Sequence, residues 1–503
     1  SPRTSIAGGS WMLPQAQGSR GHDEPAVIGA FAAVNAGQND GRDEEARFKD
    51  GQPRGRSLTA PLSTRSKPMI RLNLCSCALA VPTISAVLLT ACGGGSTALP
   101  AQPVTSMFAD PLAHDGLETI HSFRAAFPNG LVAYNGLFYG TNVAAGGKNY
   151  GNVFSLDASG QEQVLRVFRG GTDPAYPTAG LIVVNGVLYG TTAHGGTGWR
   201  HNKQCQTGPP PSGGEGCGTV FSITTSGEVR VLHSFKGGSD GNFPFAGLTL
   251  LNGKLYGVTL VGGTRHPCGQ YIGTGCGTVF EVSMSGEERI VYRFRGGKDG
   301  AAPEGTLLAL DGKLFGTTYS GGDKTCDRSR CGTLFEVTTS GSEDVLYRFK
   351  GGNDGANPQA GLVSAGGALF GTTTGGGAAC YGYGCGTIFK ATAAGLERVL
   401  YRFKGIPDGA YPTSQLTEVN GALYGVTPGG GAQCDAPSGA DTGTIFELTT
   451  TGTEKIVHRF ACETYSSDGA QPAAPLVYSA QKLYGTTTSG GRHDEGTAFA
   501  LSL

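Results

Sequence analysis

Ten cysteines in the C-terminal four-fifths of the chain carry the most chemistry that spacing alone reveals. Cys205 and Cys217, Cys268 and Cys276, Cys326 and Cys331, and Cys380 and Cys385 are close pairs, each just ahead of a G-T-x-F string. In an exported protein such pairs form local disulfides, each closing a short loop and stabilising by roughly 2 kcal/mol in the chain-entropy model. Cys434 and Cys462 fall in two different loops of one repeat, and a bridge between them completes the pairing. Zinc is the competing chemistry, with His266 near Cys268 and His201 near Cys205, but each loop offers one pair where a structural site needs four ligands. A second set is a recurring aspartate, Asp173, Asp240, Asp299, Asp354, Asp408 and Asp468, five of them followed by glycine or preceding a tight Gly-rich turn. An aspartate there caps its own turn; the sharper reading is a ring of carboxylates facing a cation or sugar hydroxyls, although no loop has the dense D-x-D spacing of a calcium site. Arg166, Arg293, Arg348, Arg402 and Arg459 recur one or two positions before a phenylalanine and are expected to bond between repeats, because a periodic charge in a stacked sheet has to be paired. No nucleophile elbow, H-E-x-x-H or phosphate loop is present. His194, His201, His266 and His493 occupy non-equivalent loop positions. No catalytic residue, cofactor or metal is therefore assigned.

These residues are carried by a repeat. An aromatic-glycine marker places its glycine at Gly140, Gly190, Gly257, Gly316, Gly371, Gly425 and Gly485, in steps of 50, 67, 59, 55, 54 and 60 residues. A second marker, G-[TN]-x-F, follows it at Phe154, Phe221, Phe280, Phe335, Phe389, Phe446 and Phe499, and each unit ends on LYRFK or a close variant. Self-similarity at this period indicates an array architecture. Within one unit GLIVV, a two-residue Asn-Gly turn and VLYGTT read as a hairpin, and GTVFSI and VRVLHSF as third and fourth strands. Along the fourth strand, alternation puts Val231, His233 and Phe235 on one face and Leu232 and Ser234 on the other. Strands apolar on both faces need cover on both sides. Helical periodicity is absent from the repeats, and four strands per unit favour propeller blades over the coils of a β-helix.

The ends point to closure. Leu117–Phe123 reads as a fourth strand before any first strand, and EGTAFALSL at the C-terminus as a third strand with no fourth after it. The expected fold is an all-β, seven-bladed propeller of four-stranded blades over 117–503, with the N-terminal strand completing the C-terminal blade and Thr119–Phe123 pairing with Thr497–Leu501. Closure of this kind removes free sheet edges. The long, variable loops all fall at one end of such a ring, and the tight turns at the other.

The string LYGTT-GGG-GTVF-x-LY-x-F-x-GG-x-DG-x-x-P resembles the tandem repeat of bacterial surface and secreted proteins called the Gloeo/Verruco or GloVer repeat, in all seven units. The resemblance implies a repeat architecture joined to an interchangeable export or anchoring signal, and no reaction that carries over onto residues.

Residues 1–68 hold none of the repeat and are expected to be disordered or untranslated. Residues 69–91 read as a lipoprotein signal: Arg71, an apolar run of under 20 residues, and Leu89-Thr90-Ala91-Cys92, which resembles a lipobox. Met69 is then the expected start, Cys92 the lipidated N-terminus, and 92–116 a glycine-rich tether. From Cys92 on, 28 Lys and Arg stand against 32 Asp and Glu, a net charge of −4 with no basic stripe, which argues against nucleic acid. The expected protein is a monomeric outer-membrane lipoprotein that faces the periplasm or the cell surface and binds a polysaccharide or an envelope protein. The alternative is a glycan-active lyase or hydrolase working in the central channel. The repeats keep the same few polar residues, whereas an enzyme gathers unlike groups at one centre.

Overall fold

A computed structural model describes residues 116–503 apart from 125, 145–149, 201–204, 206–215, 265–267, 269–274, 323–330, 379, 381, 433–440 and 462–466. The segment upstream of 116, with its signal and Cys92, lies outside the described residues, as do Cys326, Cys434, Cys462, His201 and His266. The fold is a seven-bladed β-propeller of four-stranded antiparallel blades. Blade 3 is representative, with strands Thr249–Leu251, Lys254–Thr259, Thr278–Val282 and Glu288–Arg293. Blade 7 takes three strands from the C-terminus, Val477–Ser479, Lys482–Ser489 and Thr497–Ser502, and its fourth, Leu117–Ser122, from the other end of the chain. Leu117 pairs with Leu501, Thr119 with Phe499 and Ser122 with Thr497, so the expected closure is found, but the paired segment begins at Leu117 rather than Thr119 and a bulge at Ile120 takes up the extra residue.

The repeated motifs account for one another once they are paired. The glycine of each aromatic-glycine marker lies directly across the ladder from the phenylalanine of G-[TN]-x-F, as in Gly257 opposite Phe280 and Gly316 opposite Phe335. In all seven blades a Cβ on that glycine would meet the phenylalanine ring at under 3 Å, so the glycine is there for close approach. The second threonine of LYGTT faces the threonine of G-T-x-F, with hydroxyls 2.7–2.9 Å apart in blades 2 to 7. In blade 1 the pair is Asn142 and Asn152, Nδ2 donating to Oδ1 at 3.1 Å. The glycine that opens G-T-x-F packs on the proline that ends the D-G-x-x-P loop, as Gly277 does on Pro303.

The fourth strand departs from simple alternation. In every blade one aliphatic residue is bulged out of the ladder, because Val220 pairs with His233 but the next residue, Phe221, pairs with Val231 and skips Leu232. Val231 and His233 therefore lie on opposite faces, contrary to the sequence expectation, while His233 and Phe235 stay together with ring centroids 4.7 Å apart. The bulge has a use between blades. It turns the carbonyl of Ile120, Leu165, Leu232, Val291, Leu346 or Leu400 toward the turn glycine of the following blade, Gly160, Gly227, Gly286, Gly341, Gly395 or Gly452, so closely that a Cβ there would sit 3.1 Å away or less.

Apolar cover on both faces comes from the neighbouring blades, as expected. One cluster joins Tyr256, Val279 and Phe294 of blade 3 to Leu307, Leu314, Phe335 and Val337 of blade 4. The phenylalanine that follows each fourth strand meets the third-strand phenylalanine of the next blade edge to face. The pairs Phe168–Phe221, Phe235–Phe280, Phe294–Phe335, Phe349–Phe389, Phe403–Phe446, Phe460–Phe499 and Phe123–Phe154 have centroids 5.0–5.6 Å apart. Each adds about 0.5–1.5 kcal/mol beyond its buried area. The last two run through blade 7 in the same geometry as the rest, so the aromatic ring closes where the chain ends meet.

Candidate functional site

The loop entering each blade pairs with the start of that blade's second-to-third-strand loop, as Asn242 does with Val261 and Ala301 with Ser320. Both long loops therefore share one end of the ring, and the residues singled out in the sequence gather there. Three cysteine pairs, Cys205–Cys217, Cys268–Cys276 and Cys380–Cys385, are disulfides within single loops. Cys331 is also disulfide-bonded, and its expected partner lies outside the described residues. The disulfides of Cys268–Cys276 and Cys380–Cys385 pack against Gly296 and Gly405, in the loop that leaves the same blade. These bonds remove the cysteines of those three loops as zinc ligands.

The six aspartates do two jobs each. In five linking loops a carboxylate oxygen accepts from the backbone N–H four residues earlier, from Arg169, Lys236, Arg295, Lys350 and Lys404 at 2.6–3.0 Å, and Asp468 accepts from Ala461 N–H, seven residues earlier, at 3.3 Å. Asp240, Asp299 and Asp354 end short 3-10 turns built on this bond. The carboxylate also meets the fourth-strand residue just after the bulge. Tyr292, Tyr347 and Tyr401 donate their hydroxyls to Asp299, Asp354 and Asp408 at 2.7–2.8 Å. Arg166 meets Asp173 at 2.7 Å, and His233 and His458 lie 3.5 and 3.2 Å from Asp240 and Asp468.

The third member comes from the following blade, where the first residue of the fourth strand is Glu288, Glu343, Glu397 or Glu454. Burial and the neighbouring Asp354 or Asp408 push Glu397 and Glu454 up to about 7. Burial and Asp299 raise Glu343 in the same direction. Burial and the hydrogen bond to aspartate also hold the three tyrosines above their usual range. Two carboxyls and a phenol in one half-buried pocket disfavour a second negative charge, and the glutamate is raised for that reason. Where an acid is missing, the partner changes to suit. Val229 stands at the glutamate position beside Arg166–Asp173, and Leu117 beside His458–Asp468. The seam loop between Phe123 and Pro128 is shorter and carries no aspartate, and there His121 meets Glu162 at 3.4 Å.

The arginine set behaves as expected between blades. Arg293, Arg348, Arg402 and Arg459 donate through Nε to the carbonyls of Ser239, Lys298, Asn353 and Pro407 in the preceding linking loop, at 2.8–3.2 Å. Arg166 is set off by one position because it fills the tyrosine place. The tyrosines and glutamates of these interfaces were not singled out in the sequence, although the Y, H or R two residues before each closing phenylalanine is a readable signal.

A further ring of seven residues is marked in the sequence only by the proline that follows each of them. Phe127, Tyr176, Phe243, Ala302, Asn357, Tyr411 and Gln471, each just before the loop proline, have φ between 56 and 65°. The backbone explains the strain. Phe243 N–H donates to the Cys217 carbonyl of blade 2 at 3.1 Å, and the Phe243 carbonyl accepts from Leu260 N–H of blade 3 at 2.9 Å. Ala302 and Asn357 bridge their blades in the same way. Left-handed backbone suits Gly and Asn and costs other residues about 1–3 kcal/mol. Six of the seven positions accept that cost, and their side chains differ while the backbone does not. Aromatic residues fill one arc: Tyr176 lies 5.4 Å from the ring of buried His194, His194 lies 4.9 Å from Phe243, and Tyr150 lies 5.9 Å from Tyr176. Tyr383, 40% exposed, stands in the disulfide loop of blade 5.

Separately, in blade 3, Lys254 and Arg289 hold buried Glu281 at 2.7 and 2.8 Å, and Tyr256 donates to it at 2.9 Å. Burial alone would raise Glu281, but these donors outweigh it and bring the group down to about 2.

Comparison with known proteins adds two findings. A family model described as the Gloeobacter/Verrucomicrobia repeat matches residues 208–324 and 269–499, more than half of the chain. Solved structures with related architecture include a putative 6-phosphogluconolactonase from Bacteroides uniformis, at 13% identity and TM-score 0.42, covering 71% of this chain and 89% of that one. A gluconolactonase from Xanthomonas campestris matches at 17% identity and TM-score 0.33, covering 57% and 78%. A luciferin-regenerating enzyme matches at 14% and 0.39, covering 69% and 98%. Similarity at this level carries no activity across. No curated protein matches the chain.

Proposed function

The chain belongs to the Gloeobacter/Verrucomicrobia repeat family, and from that premise we propose that its propeller is a binding scaffold, tethered through a lipid on Cys92 at the outer membrane, whose loop end takes a polysaccharide. The observation that carries this reading is the ring of left-handed positions. Seven identical backbone sites present seven chosen side chains at strained φ, with Phe127, Tyr176 and Phe243 on one arc. Half-buried aromatic rings with one wet edge stack on sugar faces, and a rigid scaffold holds them without further ordering cost. Recurring polar groups at the same end are engaged between blades in matching ways, which suits support of a surface more than reaction at one centre.

A glycan-array screen of the full chain, with chromatographic analysis of every bound polymer, tests it. The expected result is binding to a restricted set of polysaccharides whose chain length is unchanged. Shortened products would make the protein an enzyme, and binding to no glycan would refute the partner class.

A further inference from the structure

We propose that His233, Asp240 and Glu288, at the junction of blades 2 and 3, form a binding site for a divalent first-row metal ion such as Zn2+. The four acid pairs of the propeller share one backbone geometry, but three of them face a tyrosine and this one faces a histidine. At the tyrosine interfaces the phenol satisfies the aspartate at 2.7–2.8 Å. At His233 the nearest aspartate oxygen is 3.5 Å from Nε2, too long for a good hydrogen bond. Glu288 Oε1 is a buried atom with no hydrogen-bond partner, as are the matching oxygens of Glu343, Glu397 and Glu454, but among the four acid pairs only here does the facing side chain, through His233 Nε2, also lack one.

One ligand atom from each of the three side chains lies within 4.8 Å of the others. A tetrahedral zinc with N and O ligands at about 2.0–2.2 Å holds its donor atoms about 3.4 Å apart. The 3.5 Å separation of His233 Nε2 and Asp240 Oδ2 already meets that spacing, and a small movement of the Glu288 carboxylate completes it. The donor set is also apt: one neutral imidazole and two carboxylates carry two negative charges, which a divalent ion cancels, and it suits Zn2+, Mn2+ or Fe2+ better than Mg2+ or Ca2+. Lys236 and Arg293 are the cations that face the pair. His233 also lines a surface cavity of about 380 Å3 with Thr172, Thr197, Ser234 and Lys236. An ion held by three protein ligands keeps a fourth position for water.

The neighbouring blades supply the control variant. His233→Tyr installs the residue that Tyr292, Tyr347 and Tyr401 are in the other three interfaces, so it removes a ligand while restoring a known hydrogen bond. Untagged full chain, stripped with chelator, is titrated with Zn2+ by calorimetry and with Co2+ by visible absorption. The expected outcome is a site lost from the stoichiometry in His233→Tyr, with a tetrahedral Co2+ band in the wild type that the variant lacks. Glu288→Gln keeps the site but weakens it by about 100-fold or more, since even partners outside the ligand set cost 10–100-fold. His233→Tyr leaves the melting temperature of the metal-free protein unchanged or higher. Wild-type chain that takes up no Zn2+, or a His233→Tyr variant with the same stoichiometry and affinity, overturns the proposal.

Discussion

Raised glutamates at the blade interfaces make the stability of this propeller depend on pH in an unusual direction. Glu343, Glu397 and Glu454 each face an aspartate across a blade junction, and burial with that like charge raises them from 4.5, to about 7 for the last two. The other groups facing them are Tyr292 and Asp344, Tyr347 with Lys350 and Arg402, and Tyr401 with Lys404 and Arg459. Between pH 4.5 and 7 the folded state binds protons that the unfolded state has released, so unfolding free energy falls as pH rises. The contribution is complete below the unfolded value near 4.5 and is lost as pH climbs through about 7. At 1.36 kcal/mol per pH unit each site is worth up to about 3 kcal/mol, and discounting for partial exposure leaves about 1–2. Three sites together give about 3–6 kcal/mol. Urea unfolding of the full chain between pH 4.5 and 8.5 measures it, with Glu343→Gln, Glu397→Gln and Glu454→Gln as variants that hold the neutral geometry at every pH. Each Gln variant is expected to flatten the slope by its share, and the triple variant to remove most of the decline, leaving what Glu288 and Glu495, raised in the same direction by burial, contribute. Stability that is level or rising over this range, or a slope untouched in the triple variant, refutes raised glutamates at the interfaces.

Gly316→Ala would push a methyl against Phe335 and Leu307, costing about 1–3 kcal/mol, and Phe335→Leu in the same chain should recover part of that cost; additive effects in a double-mutant cycle would deny the pairing. Gly395→Ala should cost at least about 2 kcal/mol by equilibrium unfolding, because its φ is +82° and the Leu346 carbonyl fills the Cβ position. Blade 7 turns on Ala480 and Gln481 with φ of 48 and 65° where blades 1, 2, 3 and 6 carry Asn-Gly, so Ala480→Asn with Gln481→Gly should raise stability by about 1–2 kcal/mol in the same assay. Glu281→Gln should lower the melting temperature at pH 7, and its effect should vanish as pH falls through about 2, where the wild-type carboxylate loses its charge. Deleting Leu117–Phe123 should remove the latch of blade 7 and with it cooperative thermal unfolding; an unchanged melting temperature would argue against closure.

Much of this architecture was legible because each repeat states its core in residues that admit one explanation. An aromatic followed by glycine, and G-T-x-F some tens of residues later, mark two strands, and the missing fourth strand at one end with a spare one at the other dictates closure. The pairing of Gly316 with Phe335 was not legible, since it depends on register, nor was the bulge at Leu232, which reads as ordinary alternation until the carbonyl it turns out is seen against Gly286. Cysteine pairs such as Cys380–Cys385 were readable because a short covalent loop is a local property. The interface clusters were only half visible: Asp299 recurs in an obvious motif, but its partners Tyr292 and Glu343 come from different blades and meet only in three dimensions. The left-handed ring was invisible, because Phe243, Ala302 and Gln471 share a following proline but no side-chain type that signals left-handed backbone.

The aromatic arc of that ring is the proposed binding surface, and asparagine substitution strips it of its rings. Asn357 already occupies an equivalent left-handed site, so Tyr176→Asn with Phe243→Asn removes the rings while relieving backbone strain. Affinity electrophoresis of the full chain through gels containing the polysaccharide found on the array gives the measurement, with circular dichroism and melting temperature as the check on folding. The account expects a folded variant whose migration is no longer retarded by the polymer. A folded variant retarded as strongly as the wild type would contradict it.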